Sequence, residues 1–256
     1  MSLLSLKSVI KRFGGLTAVN NFSTDLQPGE LCALIGPNGS GKTTIFNLIT
    51  GIYAPTEGKI FFDDRDISGK KPNEITRAGI ARTFQNIRLF KGLNVLENVM
   101  VGHHLRLKSD PFSAVFQLPG YMAEDRKMHQ EAYELLQAVN LAHLADKEPT
   151  ALPYGQQRKL EIARALATHP KLLLLDEPAA GMNPQEAEEL MEFILHILKN
   201  FELTIFLIEH QMRVVMGICP RIIVIDHGEQ IAEGVPEIIQ NDPRVIEAYL
   251  GVTENA

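Results

Sequence analysis

The chain has 256 residues, of which 45% are hydrophobic and 22% are charged, and its formal net charge is −6. This length accommodates one large α/β domain or one domain with an inserted subdomain, with enough apolar residues for a core. The acidic balance argues against a nucleic-acid-binding surface, because neutralising phosphates requires clustered Lys and Arg. No apolar run approaches the roughly 20 residues that cross a bilayer, and the first residues lack a signal-peptide pattern. We therefore expect a cytosolic protein, in which the widely separated Cys32 and Cys219 are buried thiols.

The N-terminal part of the chain predicts strands separated by turns. Apolar residues alternate or run together, and pairs of Gly and Pro interrupt them. The predicted strands are Leu3–Val9, Leu16–Leu26 and Lys59–Asp63. We expect them to form a small antiparallel sheet.

A phosphate-binding pattern lies between the second and third of these strands. The stretch Gly36–Thr44 matches the P-loop G-x-x-x-x-G-K-[ST], and it lies between the apolar run Leu31–Ile35 and a helix predicted over Thr43–Thr50. Glycines let backbone N–H groups approach phosphates, and the helix directs its positive dipole end at the same anion. Lys42 can reach the β- and γ-phosphates, and Thr43 can ligate Mg²⁺. The predicted phosphate-binding residues are Gly36, Pro37, Asn38, Gly39, Ser40, Gly41, Lys42, Thr43 and Thr44.

The middle of the chain predicts helices. Apolar residues fall at helical spacing on one face: Met128, Ala132, Leu135, Leu136 and Val139. The segment Ser109–Gly120 is apolar, interrupted by Pro and too irregular for one long helix. It is either a buried loop or a surface that docks a partner.

A second nucleotide-site pattern follows these helices. Leu172–Leu175 is a continuous apolar run, typical of a parallel strand buried on both faces, and it ends in two acidic residues. Such residues lie where open α/β sheets bind ligands. Asp176 can hold Mg²⁺, and Glu177 can accept a proton from an attacking water or orient it. The alternative is a helix N-cap with its first-turn acid; the P-loop upstream favours the catalytic interpretation.

The rest of the chain alternates between helix and strand. A helix is predicted over Glu186–Lys199, and short buried strands over Thr204–Ile208 and Arg221–Ile225. The last residues, Thr253–Ala256, are expected to fray. The sequence contains no internal repeat and no second P-loop.

With several further stretches, these motifs resemble the ATP-binding cassette (ABC) family over nearly the whole chain. Ala81–Gln85 resembles the family's glutamine loop, and Leu152–Gln156 occupies the place of its LSGGQ-type signature. Ala179–Asn183 resembles the D-loop, and Leu207–His210 the strand that ends in a switch histidine. Lys11–Gly14 resembles the A-loop. The resemblance implies a P-loop NTPase (RecA-like) α/β core with an antiparallel β-subdomain and a helical subdomain inserted at about residues 86–160, in a single domain spanning residues 1–256.

The resemblance also implies residue roles in a site that binds ATP and Mg²⁺. Thr43, Gln85 and Asp176 would organise Mg²⁺. Glu177 would be the general base, and His210 would contact the γ-phosphate and the attacking water. Without the family, a lone histidine after a strand is more often a capping or core residue.

Phe13 would stack on adenine as the ring of the A-loop. By itself, a Phe between Arg12 and Gly14 is as easily a core aromatic. Stacking gives affinity with little base selectivity, so some use of GTP is compatible with this role.

The signature and the D-loop depart from the family pattern. In the family the signature contacts ATP bound to the opposite subunit, a role that falls here to Tyr154, Gly155 and Gln156. Pro153 replaces a serine and the tyrosine replaces a glycine, so a hydroxyl and an N–H donor are lost. Asn183 replaces the aspartate common in the D-loop. If the partner is a paralogue with an ordinary signature, we expect two unequal ATP sites.

A finer resemblance is to the ATPase subunits of importers for branched-chain, hydrophobic amino acids. The stretches that carry it are Thr83–Phe90, Tyr154–Arg164, Asp176–Pro184 and Pro243–Gly251. It implies an ATPase bound peripherally to the cytoplasmic face of the inner membrane. The alternatives are a urea or amide importer, a lipopolysaccharide-type exporter, and a soluble ABC ATPase that serves no transporter.

The implied partners follow from the same resemblance. They are two transmembrane permease subunits, a paralogous ATPase subunit or a second copy of this chain, and indirectly an extracytoplasmic substrate-binding protein, with no nucleic acid. The expected permease contact lies around Arg88–Lys91.

Overall fold

In the computed structural model, residues 2–103 and 119–250 are described. The chain divides into two compact units, one formed by Met1–Gln85 with Lys171–Ala256 and the other by Asn86–Pro170. The predictions for residues 109–118 and 253–256 lie outside the described residues. Pro119 and Gly120 begin a helix, although the sequence placed them in an irregular segment.

The first sheet is antiparallel and has four strands in the order β2-β1-β4-β5. Its strands are β1 (Leu4–Phe13), β2 (Leu16–Leu26), β4 (Glu57–Phe62) and β5 (Arg65–Asp66). The antiparallel sheet is therefore confirmed, but β1 runs four residues beyond its predicted end. It does so because it pairs with β2 as far as Phe13 opposite Leu16, where Gly14 turns the chain with a φ of 57°.

The second sheet has six strands in the order β10-β9-β3-β8-β7-β6, all parallel to their neighbours except β10. Its strands are β3 (Leu31–Ile35), β6 (Ile80–Arg82), β7 (Leu172–Asp176), β8 (Thr204–Ile208), β9 (Arg221–Asp226) and β10 (Glu229–Gly234). Every residue of β3, β7 and β8 is buried, which explains their continuous apolar sequences. The parallel order brings the carboxyl ends of these strands to one edge of the sheet.

The helices of this first unit are α1 (Lys42–Ile49), α2 (Pro72–Ala78), α6 (Pro184–Asn200), α7 (Met212–Ile218), α8 (Pro236–Asn241) and α9 (Pro243–Leu250). The start of α6 is fixed by Asn183, whose side chain accepts hydrogen bonds from the backbone N–H groups of Gln185 and Glu186, both at 3.0 Å. Asn183 thus caps a helix, as asparagine commonly does.

Apolar side chains from both sheets and α1 form one continuous core. Its buried aromatic members are Phe22, Phe46, Phe62 and Phe206. Among the described residues of the chain, no helix combines the length and the apolar character that a membrane span needs.

The second unit is helical in its described part. Its helices are α3 (Val95–His103), α4 (Pro119–Ala138) and α5 (Tyr154–Leu166). The apolar face predicted over Met128–Val139 is buried, so its helical spacing is confirmed. Pro153 precedes the first residue of α5 with an extended backbone, and Tyr154 begins the helix.

Candidate active site

The P-loop connects the end of β3 to α1 at the carboxyl edge of the parallel sheet. Gly36 lies so close to β9 that a Cβ on it would be 2.0 Å from the carbonyl oxygen of Ile225. Gly41 has a φ of 107°, and a Cβ there would be 2.6 Å from the carbonyl oxygen of Ala18. Both positions therefore require glycine. At Gly36 the reason is the close approach of the neighbouring strand, and at Gly41 it is both close approach and the positive φ.

Lys42 is the first residue of α1, and its side chain is buried in the loop. Its Nζ donates hydrogen bonds to the carbonyl oxygens of Gly36 and Pro37, both at 2.8 Å. Burial lowers the pKa of Lys42, while the nearby carboxylates of Glu177 and Asp176 oppose this effect. An anion placed beside Lys42 would favour its charged form further.

The exposed members of the P-loop are Asn38, Gly39 and Thr43, while Ser40 is buried and Thr44 half-buried. The loop therefore has an accessible face that leads into the first turn of α1. Backbone N–H groups at such a turn have no partner within the helix, and they are suited to bind an anion.

Asp176 is the last residue of β7 and lies on the same edge of the sheet. Its Oδ2 accepts a hydrogen bond from Nη2 of Arg82 at 2.6 Å. The same guanidinium donates from Nη1 to Oδ1 of Asn47, in α1, at 2.7 Å. Arg82 thus links the end of β6, the P-loop helix and the acidic residue, a role that sequence reasoning did not assign to it.

Glu177 follows Asp176 in a left-handed conformation with a φ of 46°. This is uncommon for a residue with a Cβ, and strained backbone of this kind is found at active sites among other places. Its N–H donates to the carbonyl oxygen of Ile208, at the end of β8, at 2.8 Å. Because the next helix begins only at Pro184, the alternative of an N-cap with a first-turn acid is wrong.

Two predicted site residues approach the carboxylate of Glu177. Nε2 of Gln85 donates a hydrogen bond to its Oε2 at 2.8 Å. Nδ1 of His210 lies 3.5 Å from the same oxygen. The structure therefore brings these three residues together, although they are far apart in sequence.

His210 occupies the loop between β8 and α7, and its side chain is 50% exposed. The histidine is thus not a core residue, and Gln211 rather than His210 precedes α7 as its cap.

A buried carboxylate that sequence reasoning missed shapes the same loop. Glu209 is fully buried and accepts hydrogen bonds from three backbone N–H groups, those of Ala179 (2.9 Å), His210 (2.8 Å) and Gln211 (3.1 Å). It therefore fixes the backbone of the histidine loop to the segment that follows Glu177. An acidic residue directly after the apolar run of β8 was the available signal.

Phe13 ends β1, and its side chain is 40% exposed, so it is not a core aromatic. Its ring contacts that of Tyr53 edge-to-face, with the centroids 5.1 Å apart. Nζ of Lys11 lies 4.9 Å from the centre of the Phe13 ring. The aromatic surface thus includes Tyr53, which no sequence pattern indicated.

The signature residues belong to the other unit and start α5. Tyr154 is exposed, while Gly155 and Gln156 are half-buried. The phenolic oxygen of Tyr154 accepts a hydrogen bond from Arg158 at 3.3 Å. Arg158 is itself fully buried and pairs with the carboxylate of Glu161 at 2.8 Å.

The C-terminal tail lies against the P-loop. A cavity of about 670 Å³ is lined by Pro37–Ser40 of the P-loop, by Arg244, Glu247 and Ala248 of α9, and by Asp226, His227 and Ile231. Burial raises the pKa of Tyr249, and the backbone N–H of Gly36 opposes that rise. The sequence of this tail carries part of the finer family resemblance, but it does not indicate which part of the fold the tail packs against.

A P-loop at the end of a buried parallel strand, with an Asp-Glu pair beside it, defines a P-loop nucleotide-binding protein. Comparison with known families makes this specific. The family described as "ABC transporter" matches residues 19–180, and one described as "Branched-chain amino acid ATP-binding cassette transporter" matches residues 229–255. The chain belongs to the ABC transporter family.

Individual relatives agree with this assignment. The chain is 46% identical to the high-affinity branched-chain amino acid transport ATP-binding protein LivG of Escherichia coli (strain K12), over 97% of this chain and 98% of LivG. Its fold is similar to that of MJ1267 in its ADP conformation, an ATP-binding cassette of an ABC transporter. There the TM-score is 0.86 and the identity 34%, over 98% of this chain and 99% of MJ1267.

A dimeric structure is also similar. It is a post-hydrolysis state of the ATP-binding cassette MJ0796 bound to ADP and Pi, with a TM-score of 0.74 and 27% identity. The match covers 91% of this chain and 98% of MJ0796.

Proposed function

We propose that this chain is the ATP-hydrolysing subunit of a membrane importer for branched-chain amino acids. The observation that carries the proposal is the convergence of Gln85 and His210 on the carboxylate of Glu177, at the sheet edge that also presents the P-loop. The substrate class rests on the similarity to LivG and on the family match of the C-terminal residues.

ATP would bind across the carboxyl edge of the parallel sheet. The backbone N–H groups of Gly36–Thr44 and the ammonium group of Lys42 would hold its phosphates. Phe13 would contact the adenine ring, with Tyr53 supporting it from the side. Binding of the phosphates beside Lys42 would offset the cost of burying that cation.

The residues present fit a bound Mg²⁺. Thr43, Gln85 and Asp176 offer a hydroxyl, an amide oxygen and a carboxylate, which are the oxygen ligands that this ion prefers. Asp176 is already held by Arg82 through one of its oxygens, so its orientation is fixed by the protein. When bound, Mg²⁺ would neutralise charge on the transferred phosphoryl group.

Glu177 would act as the general base. Its carboxylate would accept the proton of the attacking water, and its unusual backbone conformation holds it at the end of the strand. Nδ1 of His210, 3.5 Å away, would contact the water and the γ-phosphate. Gln85 donates to the same carboxylate and would help to set its direction.

The subunit would act as a dimer, with itself or a paralogue, and the similar cassette MJ0796 has a dimeric structure. In this arrangement Tyr154, Gly155 and Gln156 would face ATP bound to the other subunit. Residues 1–256 would form one cassette domain with a helical subdomain inserted at about residues 86–160; the compact helical unit of the structure extends to Pro170.

Two permease subunits would receive the motion through residues around Arg88–Lys91, where the ring of Phe90 is exposed. The dimer would therefore lie on the cytoplasmic face of the inner membrane. A substrate-binding protein on the other side would deliver the amino acid.

Hydrolysis is tested with Glu177→Gln. We expect turnover of ATP to fall at least about 100-fold while Mg·ATP still binds, because removal of a general base affects chemistry rather than affinity. Glu192→Gln, which changes an exposed glutamate of α6, is the matched control and should keep normal turnover. Undiminished turnover in Glu177→Gln would overturn the assignment.

Transport is tested with vesicles that contain the cognate permeases and binding protein. ATP-dependent uptake of labelled leucine, isoleucine or valine is expected. Uptake of urea or amides instead, or failure of the chain to associate with any polytopic subunit, would contradict the proposed importer while leaving its ATPase activity intact.

A further inference from the structure

Three side chains that the nucleotide chemistry does not use meet in the helical unit. They are His103 at the end of α3, Glu131 in α4 and His169 just after α5. Nδ1 of His103 is 3.7 Å from Oε2 of Glu131, and the rings of the two histidines lie edge-to-face with their centroids 5.5 Å apart. One ligand atom from each residue falls within 4.8 Å of the others. We propose that His103, Glu131 and His169 form a binding site for a divalent transition metal of the Zn²⁺ type.

The donor set suits such an ion. Two imidazoles and one carboxylate are ligands that Zn²⁺ takes in proteins, with the fourth position left to water. Tetrahedral ligands at about 2.0–2.1 Å from the ion are about 3.3 Å from one another. Small rotations of the side chains would close the observed separations to that value, because Glu131 is half-buried and His169 is exposed.

The backbone brings the two histidines together for identifiable reasons. A Cβ on Gly102 would lie 2.5 Å from the carbonyl oxygen of Arg164 and 2.7 Å from Cβ of Ala167. The glycine therefore allows α3 to approach the end of α5 closely. His169 lies three residues beyond the end of that helix in a left-handed conformation, with a φ of 49°, and its N–H donates to the carbonyl oxygen of Leu166 at 2.8 Å.

The charges around the cluster are compatible with a cation. Oε1 of Glu131 lies 3.6 Å from Nζ of Lys127, one turn earlier on α4. That lysine is largely exposed, and such pairs contribute only about 0.3–0.5 kcal/mol. It would not hold the carboxylate away from a metal, and the other oxygen already faces His103.

Binding would connect three segments that are separate in sequence. Because α5 begins with Tyr154, an ion at the far end of this helix would tie the signature helix to α3 and α4. A ligand that binds only the folded protein also stabilises it in proportion to its affinity. The bound ion would thus stabilise the helical unit whether or not nucleotide is bound.

The test uses the full-length, untagged protein, stripped of metal by a chelator and kept free of nucleotide. Zn²⁺ is titrated in competition with a chromophoric chelator, and one Zn²⁺ per chain is expected. His103→Gln and His169→Gln should each weaken binding at least about tenfold, since even residues that only support metal ligands have effects of that size. His143→Gln, which removes an exposed histidine of the same unit outside the cluster, should leave the affinity unchanged.

Failure of the wild-type chain to bind one Zn²⁺, or equal affinity in the wild type and a variant carrying both His103→Gln and His169→Gln, would overturn the proposal. X-ray absorption of the Zn²⁺-loaded wild-type protein requires no variant to fold. It should report only nitrogen and oxygen ligands, two of them imidazoles, at about 2.0–2.1 Å. A sulfur ligand, or fewer than two imidazoles, would contradict the assignment.

Discussion

Arg82 and Asp176 form a buried ion pair, with Nη2 and Oδ2 2.6 Å apart and each side chain only 7% exposed. The two residues end neighbouring parallel strands, β6 and β7, so the pairing of the strands places them together. The guanidinium also lies 5.6 Å from the ring of Phe46 and 5.4 Å from that of Phe84. The acidic residue of the nucleotide site is therefore held by a cation of the protein itself.

Replacing Arg82 should be costly. Arg82→Gln would leave Asp176 buried without its countercharge, and breaking such pairs typically destabilises a protein by about 3–5 kcal/mol. Urea unfolding monitored by circular dichroism gives the change in the free energy of unfolding. The matched control is Arg213→Gln, which removes an exposed ion pair with Glu188 and should cost less than about 1 kcal/mol. Similar losses in the two variants would show that the buried pair has no special role.

The P-loop should not tolerate a side chain at Gly36. In Gly36→Ala the new Cβ would overlap the carbonyl oxygen of Ile225, so β9 or the loop must move. We expect a loss of about 1–3 kcal/mol in the free energy of unfolding. Because the loop would shift away from the phosphates, Mg·ATP affinity should also fall more than about tenfold.

Gly15→Ala is the control for this substitution, because no atom lies within 4 Å of a Cβ at that position. Its unfolding and Mg·ATP binding should match those of the wild type. Normal Mg·ATP binding by Gly36→Ala, measured by calorimetric titration, would refute the argument from close approach.

The stability of the protein should fall at high pH because of its buried thiols. Burial, and to a smaller extent the charge of Glu209, raises the pKa of Cys219 from its ordinary value of 9.0 to about 12. Below pH 9 this thiol is protonated in both the folded and the unfolded chain, so its full contribution to the free energy of unfolding is present there. Between pH 9 and about 12 only the unfolded chain loses the proton, and stability is lost by up to about 1.4 kcal/mol per pH unit.

The measurement is the free energy of unfolding in urea at several pH values from 8 upward. Cys219→Ala lacks the titrating group and should show a shallower decline above pH 9 than the wild type. Burial also raises the pKa of Cys32, and this thiol is present in both the wild type and Cys219→Ala. Parallel pH profiles for the two proteins would count against the assignment to Cys219.

The two ATP sites of a dimer with a paralogue should be unequal. If the paralogue carries an ordinary signature, ATP on this chain's P-loop would face all of its donors. The partner's ATP would face Pro153, which has neither the hydroxyl nor the N–H of the serine that it replaces. Lys42→Ala should therefore reduce transport more than the equivalent substitution in the partner. Transport assays of the two single variants make the comparison, and equal losses would rule out this asymmetry.

A change at the signature tests the same asymmetry from the other side. Pro153 precedes α5 and caps it with no side-chain hydrogen bond. Pro153→Ser supplies a hydroxyl suited to cap the helix and to reach the partner's ATP. In a transporter that carries Pro153→Ser, the loss of transport caused by Lys42→Ala and the loss caused by the equivalent substitution in the partner should become more similar.

The sequence by itself determined the class of fold, and it predicted most of the residues of the candidate nucleotide site. The P-loop pattern is local, and its meaning depends on a strand before it and a helix after it, both of which periodicity reveals. The same holds for Asp176 and Glu177, because a continuous apolar strand that ends in acidic residues can be recognised without knowing which strands lie beside it.

Only the tertiary structure decided which distant side chains meet. Arg82 pairs with Asp176 because β6 lies beside β7, and Glu209 bonds to the backbone of Ala179 across a separation of 30 residues. Tyr53 supports Phe13, and α9 lies against the P-loop, for the same kind of reason. Strand order and long-range packing are set by the burial of apolar surface over the whole chain. The identity of a single residue therefore does not reveal which distant residue it will contact.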